Sequence, residues 1–188
     1  MKLPVQSKLA QRRQSQLVIV DVQDKLCGVM APDALQAMLK NCRVLLQAVL
    51  LLDIPRLYSE QYPKGLGATL PDLLMLLPAD GRVEKTVFSC SEEPAFRSKL
   101  TTDKPQVILA GMETHICVLQ SALGLQQMGR QVFVAEDAVL SRSAANKTNA
   151  LDRMRQAGII ISNTESIVFE WLKVAEGDAF KQISRLVR

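Results

Sequence analysis

The sequence predicts an α/β fold, a three-layer α/β/α sandwich built on a mainly parallel six-stranded sheet of the Rossmann-like kind. Short β-branched runs with almost no polar alternation recur along the chain, which is typical of strands buried on both faces. Segments with helical spacing of apolar residues lie between these runs. The chain has 188 residues and no linker rich in Gly, Ser or Pro, so we expect one domain over residues 1–188.

The elements follow one another as repeated strand and helix units. The first strand, residues 17–22, is a buried run that places Asp21 near its carboxyl end. Pro32 suits the first turn of a crossover helix that continues to Leu52. Thr114 is a plausible N-cap for a later helix, and Gly129 ends that helix. The remaining strands are predicted at residues 54–58, 82–88, 106–110, 131–135 and 159–162, with helices at 71–77, 93–100, 114–128, 144–157 and 165–174 and a short polar tail.

Charge and hydropathy argue against two classes of partner. The net charge of +4 comes from scattered lysines and arginines without a basic run, which disfavours nucleic-acid binding. The longest apolar run, residues 44–52, is interrupted by Gln47 and is too short to span a bilayer. We therefore expect a cytoplasmic protein that acts on a small molecule and binds neither nucleic acid nor membrane.

Cofactor and metal signatures are also missing from the sequence. The four cysteines are widely spaced and form no C-x-x-C pair, so we expect reduced thiols. A single histidine leaves a zinc or non-haem iron centre without its usual ligands. The loop after the first strand contains no G-x-G-x-x-G, and no P-loop is present. We expect no metal and no cofactor.

Polar residues at the carboxyl ends of the predicted strands are the candidates for a site, because ligands of such sheets bind there. Cys117 lies in the first turn of a helix that follows the fourth strand, where the helix dipole and free N–H groups favour a thiolate. Asp21 follows the first strand and is a candidate base. Lys85 shares an apolar strand face with Val83, an unusual place for a lysine. His115 points away from Cys117, since helical neighbours on one face are three or four residues apart.

Each candidate also has a purely structural interpretation. Cys117 could be a buried structural thiol, Asp21 could cap a turn, and Lys85 could extend its ammonium group to solvent. Cys90 lies near the carboxyl end of the third strand and could line the pocket, although a packing role is favoured. Further polar residues near strand ends are Gln23, Glu60, Gln61 and Asp137.

Four segments in order resemble the isochorismatase-like cysteine hydrolases, in particular the branch of YcaC-type and isochorismatase-domain proteins. The segments are residues 18–23, 60–67, 84–90 and 111–117. The resemblance implies a catalytic triad in which Cys117 is the nucleophile, Asp21 takes and returns a proton, and Lys85 favours the charged thiol. It also implies a homo-oligomer and a cis peptide before Glu113, which turns the Glu113 N–H toward the Cys117 N–H as an oxyanion hole.

Members of the resembled superfamily perform different reactions on much the same scaffold. Nicotinamidases of this superfamily hold a metal with an Asp and two His after the second strand, where this chain has residues 59–64 without histidine. We expect a metal-independent cysteine hydrolase that cleaves a small amide, carbamoyl or related C–N bond through a Cys117 thioester. The alternatives are a catalytically silent oligomeric scaffold or a thiol redox sensor. We also expect Gln23, Tyr62, Phe88 and Met112 to line the substrate pocket.

Overall fold

The computed structural model of this chain describes residues 7–188, so residues 1–6 of the predicted domain lie outside the described part. One sheet of six parallel strands forms the centre of the described chain. The strands are β1 (Ser15–Val20), β2 (Arg56–Gln61), β3 (Arg82–Lys85), β4 (Gln106–Met112), β5 (Gln131–Leu140) and β6 (Ile160–Ser162). Their order across the sheet is β3-β2-β1-β4-β5-β6.

Helices cover both faces of this sheet. Three short 3₁₀ or π-helical turns accompany them, and the one at Thr114–Val118 bears on function. The helices are α1 (Asp24–Cys27), α2 (Pro32–Leu51), α3 (Pro63–Leu66), α4 (Pro71–Leu74), α5 (Pro94–Lys99), α6 (Leu119–Gln127), α7 (Ala144–Gln156), α8 (Thr164–Leu172) and α9 (Gly177–Leu186).

The alternation of side chains along β1 explains the two hydrophobic layers. Leu17 and Ile19 point into the core shared with α2, α8 and α9, whereas Val18 and Val20 point into the core shared with α5, α6 and α7. All four side chains are fully buried. A strand at the centre of a parallel sheet must be apolar on both faces, which is why this run reads as continuous hydrophobic sequence.

Helix α2 is the largest element of the first core. By length and composition alone it is apolar enough to cross a membrane. Its apolar positions are nevertheless buried within the protein, among them Met38, Cys42 and Val49. The same stretch is therefore explained as a core helix.

The winding direction of the sheet reverses between β1 and β4, which lie side by side at its centre. Their carboxyl ends meet where Val20 pairs with Gly111. Gly111 has a φ of 116°, and a Cβ there would lie 2.1 Å from the Val20 carbonyl oxygen. Only glycine lets the two strands approach this closely. In sheets of this kind ligands bind at the carboxyl ends of the strands, at such a switch point.

Several of the predicted strand and helix boundaries differ from those in the structure. Strands β2, β4 and β5 extend three, two and five residues beyond their predicted ends, while β3 stops at Lys85 rather than at residue 88. The segment predicted as a polar tail contains α9, whose Ile183 is fully buried against the core of α2 and α8. Thr114 is not an N-cap: it begins a π-helical turn, and its hydroxyl caps no N–H group.

Candidate active site

Asp21 is the first residue after β1, and its side chain is fully buried. Its backbone has a φ of 50°, a left-handed conformation that non-glycine residues seldom adopt outside special sites. The Oδ1 atom accepts a hydrogen bond from the Ser59 hydroxyl at 2.7 Å, and Oδ2 accepts one from Lys85 Nζ at 2.7 Å. The carboxylate is therefore held from two sides by the neighbouring strands β2 and β3.

Lys85 reaches this carboxylate because of its place in β3. Residues along the strand alternate between exposed and buried, and Lys85 shares the buried face with Val83. Its ammonium group donates to Asp21 Oδ2, to Gln61 Oε1 at 2.7 Å and to the Phe88 carbonyl at 3.1 Å. An ammonium group has three N–H donors, so all of them are occupied.

The positive charge of Lys85 is retained in the buried site. Burial lowers the pKa of the ammonium group, but the negative charge of Asp21 outweighs that effect, with smaller contributions from Cys90 and Cys117, and the pKa is raised overall. Lys85 thus keeps its positive charge, and its three hydrogen bonds fix the position of the ammonium group.

Cys117 lies in the π-helical turn that connects β4 with α6, and 5% of its surface is exposed. Turns of this kind are frequent at functional sites. Burial raises the pKa of the Cys117 thiol, the charge of Asp21 raises it further, and Lys85 lowers it only in part. These surroundings favour the protonated form of the thiol. Asp21 is therefore close enough for its charge to act on the thiol, and the carboxylate that discourages ionisation of the sulfur is also the nearest candidate base.

The peptide between Met112 and Glu113 is cis, the isomer that the family resemblance implies. Within residues 7–188 the Glu113 N–H donates to no other group. The Glu113 carboxylate turns away and accepts the Arg142 N–H at 2.9 Å. The Thr114 hydroxyl is the one buried side-chain oxygen or nitrogen of the described chain without a hydrogen-bond partner, so it does not compete for the N–H of Cys117.

Two of the four residues that were predicted to line the substrate pocket, Gln23 and Met112, are fully buried. Gln23 exposes no surface, and its amide is used by the backbone of Gln61 and Gly67. Met112 is fully buried in the core shared with α2, because alternation along β4 turns it to that face. Tyr62 and Phe88 are each about half exposed and lie beside the end of β3, so they remain candidates for the pocket wall.

Other polar residues near strand ends have structural roles. Glu60 is buried, accepts from Thr69 and pairs with Arg82 at 2.7 Å, which ties the loop after β2 to β3. Asp137 lies within β5 and accepts the N–H and hydroxyl of Thr164 at the start of α8.

His115 Nδ1 forms a hydrogen bond with the Ser141 hydroxyl at 2.9 Å. In residues 7–188 no three His, Cys, Asp or Glu side chains form a group that could hold a metal ion.

Three further residues join the site. Ser59 was not among the sequence candidates, whereas Gln61 was one of the polar residues near a strand end and Cys90 was a less favoured pocket residue. Ser59 and Gln61 bind Asp21 and Lys85 directly. Cys90 is fully buried behind them, with its sulfur 3.5 Å from the Ser59 hydroxyl. The missed signal was the alternation along β2, which places Ser59 and Gln61, two residues apart, on the same face of the strand.

Comparison with known proteins agrees with this architecture. A family model described as the isochorismatase domain matches residues 15–166. Isochorismatase domain-containing protein 2 of Danio rerio is 37% identical over 178 residues, which are 92% of this chain and 86% of that protein.

Two solved structures are similar over nearly their whole length. The MAR1 ribonuclease of Caenorhabditis elegans has a TM-score of 0.88 at 33% identity, covering 95% of this chain and 92% of that one. The Escherichia coli YcaC protein has a TM-score of 0.87 at 22% identity, covering 99% and 92%. The predicted α/β fold is confirmed, and the chain belongs to the isochorismatase family.

Proposed function

We propose that this protein is a metal-independent cysteine hydrolase that cleaves the C–N bond of a small amide, carbamoyl or related compound through a thioester on Cys117. The family supports a hydrolase-like role. The observation that carries the finer proposal is the buried pair of Lys85 Nζ and Asp21 Oδ2, 2.7 Å apart, beside the Cys117 thiol at the switch point of the sheet. A buried nucleophile, base and charge at this place form the arrangement that covalent catalysis requires.

The first step is a proton transfer from the Cys117 thiol to Asp21. The raised pKa of the thiol disfavours the thiolate, so the proposal requires a base that acts while the sulfur attacks. Lys85 stabilises the resulting thiolate by its charge. It cannot donate a further hydrogen bond to substrate, because its three N–H groups are already bound.

The sulfur then forms a bond to the carbonyl carbon, and the negative charge that develops on oxygen needs N–H donors. The unpartnered Glu113 N–H and the Cys117 N–H, in the adjoining turn, are the proposed donors. Collapse breaks the C–N bond, and the proton on Asp21 leaves with the amine. Water next attacks the thioester carbon while Asp21 accepts a proton from it. The C–S bond then breaks, the acid is released, and Asp21 returns the proton to the sulfur.

The dimensions of the site favour a small substrate. Cys117 exposes 5% of its surface, and Asp21 and Lys85 expose almost none. We infer that only a narrow opening leads to the sulfur. We infer that Tyr62 and Phe88 line this opening. We further infer a cytoplasmic homo-oligomer that binds neither nucleic acid nor membrane; the E. coli YcaC protein is described as octameric.

The proposal is tested by screening small amides, ureas and carbamoyl compounds with the wild type and the Cys117→Ala variant. Cys42→Ala is the matched control, because Cys42 is a fully buried thiol of α2. We expect hydrolysis that Cys117→Ala abolishes and Cys42→Ala preserves. An RNA substrate belongs in the panel, because a similar structure is described as a ribonuclease. RNA cleavage that survives Cys117→Ala would overturn the proposal, as would a protein that oxidises reversibly at Cys117 but hydrolyses nothing.

A further inference from the structure

Gln61 is the last residue of β2, and its side-chain amide is held at both ends. The Nε2 group donates to the Thr86 carbonyl at 2.7 Å, and Oε1 accepts from Lys85 Nζ at 2.7 Å. A carbonyl accepts and an ammonium group donates, so these partners determine which end of the amide is oxygen. The amide oxygen therefore points toward the buried charges.

The backbone of Gln61 is held equally firmly. Gln23 accepts the Gln61 N–H at 2.7 Å and donates to the Gln61 carbonyl at 3.0 Å. The same Gln23 amide donates to the Gly67 carbonyl at 2.6 Å, which joins the end of β2 to the following loop. Because Gln23 is fully buried, this support does not depend on solvent.

The oriented oxygen of Gln61 lies next to the nucleophile. Cys117 Sγ is 4.0 Å from Gln61 Oε1, at the outer limit for a thiol hydrogen bond. The neighbouring Asp21 carboxylate already accepts one hydrogen bond on each oxygen, from Ser59 and Lys85. The thiol thus has a neutral acceptor, Gln61 Oε1, near the charged Asp21 carboxylate.

We propose that Gln61 is a positioning residue that holds the Cys117 thiol in its protonated form until substrate arrives. The negative end of the amide dipole faces the sulfur, which favours S–H over the thiolate. Since the thiolate is the form that reacts with electrophiles and oxidants, the contact protects the nucleophile before substrate binds. Substrate entering the crevice separates the thiol from this acceptor and leaves Asp21 to take the proton. The inference rests on the proposed role of Cys117 as nucleophile.

Two substitutions of similar size test the inference in opposite directions. Gln61→Met removes the acceptor and frees one N–H of Lys85 for the sulfur, so Cys117 should be alkylated by iodoacetamide about threefold to tenfold faster at a given pH. Gln61→Glu keeps an acceptor for Lys85 but adds a negative charge, so alkylation should be slower than in the wild type. Peptide mass mapping reports Cys117 separately from the other thiols, and thiolate ultraviolet absorbance reports its ionisation.

The control is Gln126→Met, since the Gln126 amide contacts the Ala157 carbonyl at the far end of α6. We expect no change of Cys117 alkylation in this variant. If Cys117 is alkylated faster in both Gln61 variants, or more slowly in both, and the thiolate absorbance does not change, then access of the reagent to the thiol has changed. That result would overturn the inference. Thermal melting checks that each variant is folded, and Gln61→Glu preserves the contact with Lys85 if Gln61→Met is unstable. Alkylation requires no turnover, so the outcome is independent of whether an amide substrate is found.

Discussion

Gly111→Ala tests whether the close approach of β4 and β1 supports the fold beside the site. The new Cβ would lie 2.1 Å from the Val20 carbonyl oxygen and 2.7 Å from its nitrogen, so backbone rather than a flexible side chain must move. The φ of 116° adds strain of about 1–3 kcal/mol for a residue other than glycine. Overpacking adds about 1–3 kcal/mol, so we expect the free energy of unfolding to fall by about 4 kcal/mol in total. That is a large part of the ~5–15 kcal/mol typical of a domain.

Gly129→Ala is the matched control for this measurement. Gly129 also has a positive φ, of 79°, but no atom lies within 4 Å of its added Cβ. It should lose only about 1 kcal/mol, from backbone conformation alone. Urea unfolding of both variants should therefore differ by about 3 kcal/mol. Equal stability within about 0.5 kcal/mol would refute the argument that strand contact makes glycine necessary.

Three further predictions concern charge, pH and the carboxyl-terminal helix. Lys85→Met leaves the buried Asp21 carboxylate without its partner and should cost about 3–5 kcal/mol in urea unfolding, most of which Asp21→Asn in the same chain restores; additive losses would contradict the pairing. Burial raises the pKa of Cys42 from 9.0 to about 12, so above pH 9 the unfolded state binds fewer protons than the folded state. The free energy of unfolding should then fall with rising pH. Between pH 8 and pH 10 the Cys42→Ala variant should lose about 1.3 kcal/mol less of this free energy than the wild type. Identical losses would mean that the folded thiol ionises normally. Ile183→Ala should destabilise the protein by about 2–4 kcal/mol, because the side chain is fully buried; a loss below about 0.5 kcal/mol would show that α9 does not dock.

Features with a local signal in the sequence were predicted well. The continuous apolar run before Asp21 requires a strand covered on both faces, and the structure has β1 at the centre of the sheet. Alternation over residues 82–85 predicted that Lys85 shares the buried face with Val83, and it does. Both follow from the two-residue period of a strand, which needs no knowledge of distant residues.

Features that depend on distant parts of the chain were not predicted. The hydrogen bonds that Ser59 and Gln61 make to Asp21 and Lys85 arise only when β1, β2 and β3 are adjacent. Strand order and side-chain rotamers carry no local signature. Gln23 was assigned to the pocket for its place at a strand end, but the structure uses its amide to support the backbone of Gln61.

The missed helix α9 did have a signal. Phe180, Ile183 and Leu186 recur every three residues, which is one helical face, but charged residues between them gave the segment a polar composition. The polar composition therefore concealed the three-residue spacing of these apolar side chains, which a count of spacings along the segment would have detected.

The central claim, a thioester on Cys117, is tested most directly by intact-protein mass spectrometry after rapid mixing with 4-nitrophenyl acetate and acid quench. The account predicts one acetyl group, mapped to Cys117, formed rapidly by the wild type. Asp21→Asn should form it far more slowly, and Cys117→Ala should not form it at all, because the base and the nucleophile are then missing. Acetylation elsewhere at the same rate in Cys117→Ala, with none on Cys117 of the wild type, would contradict the account.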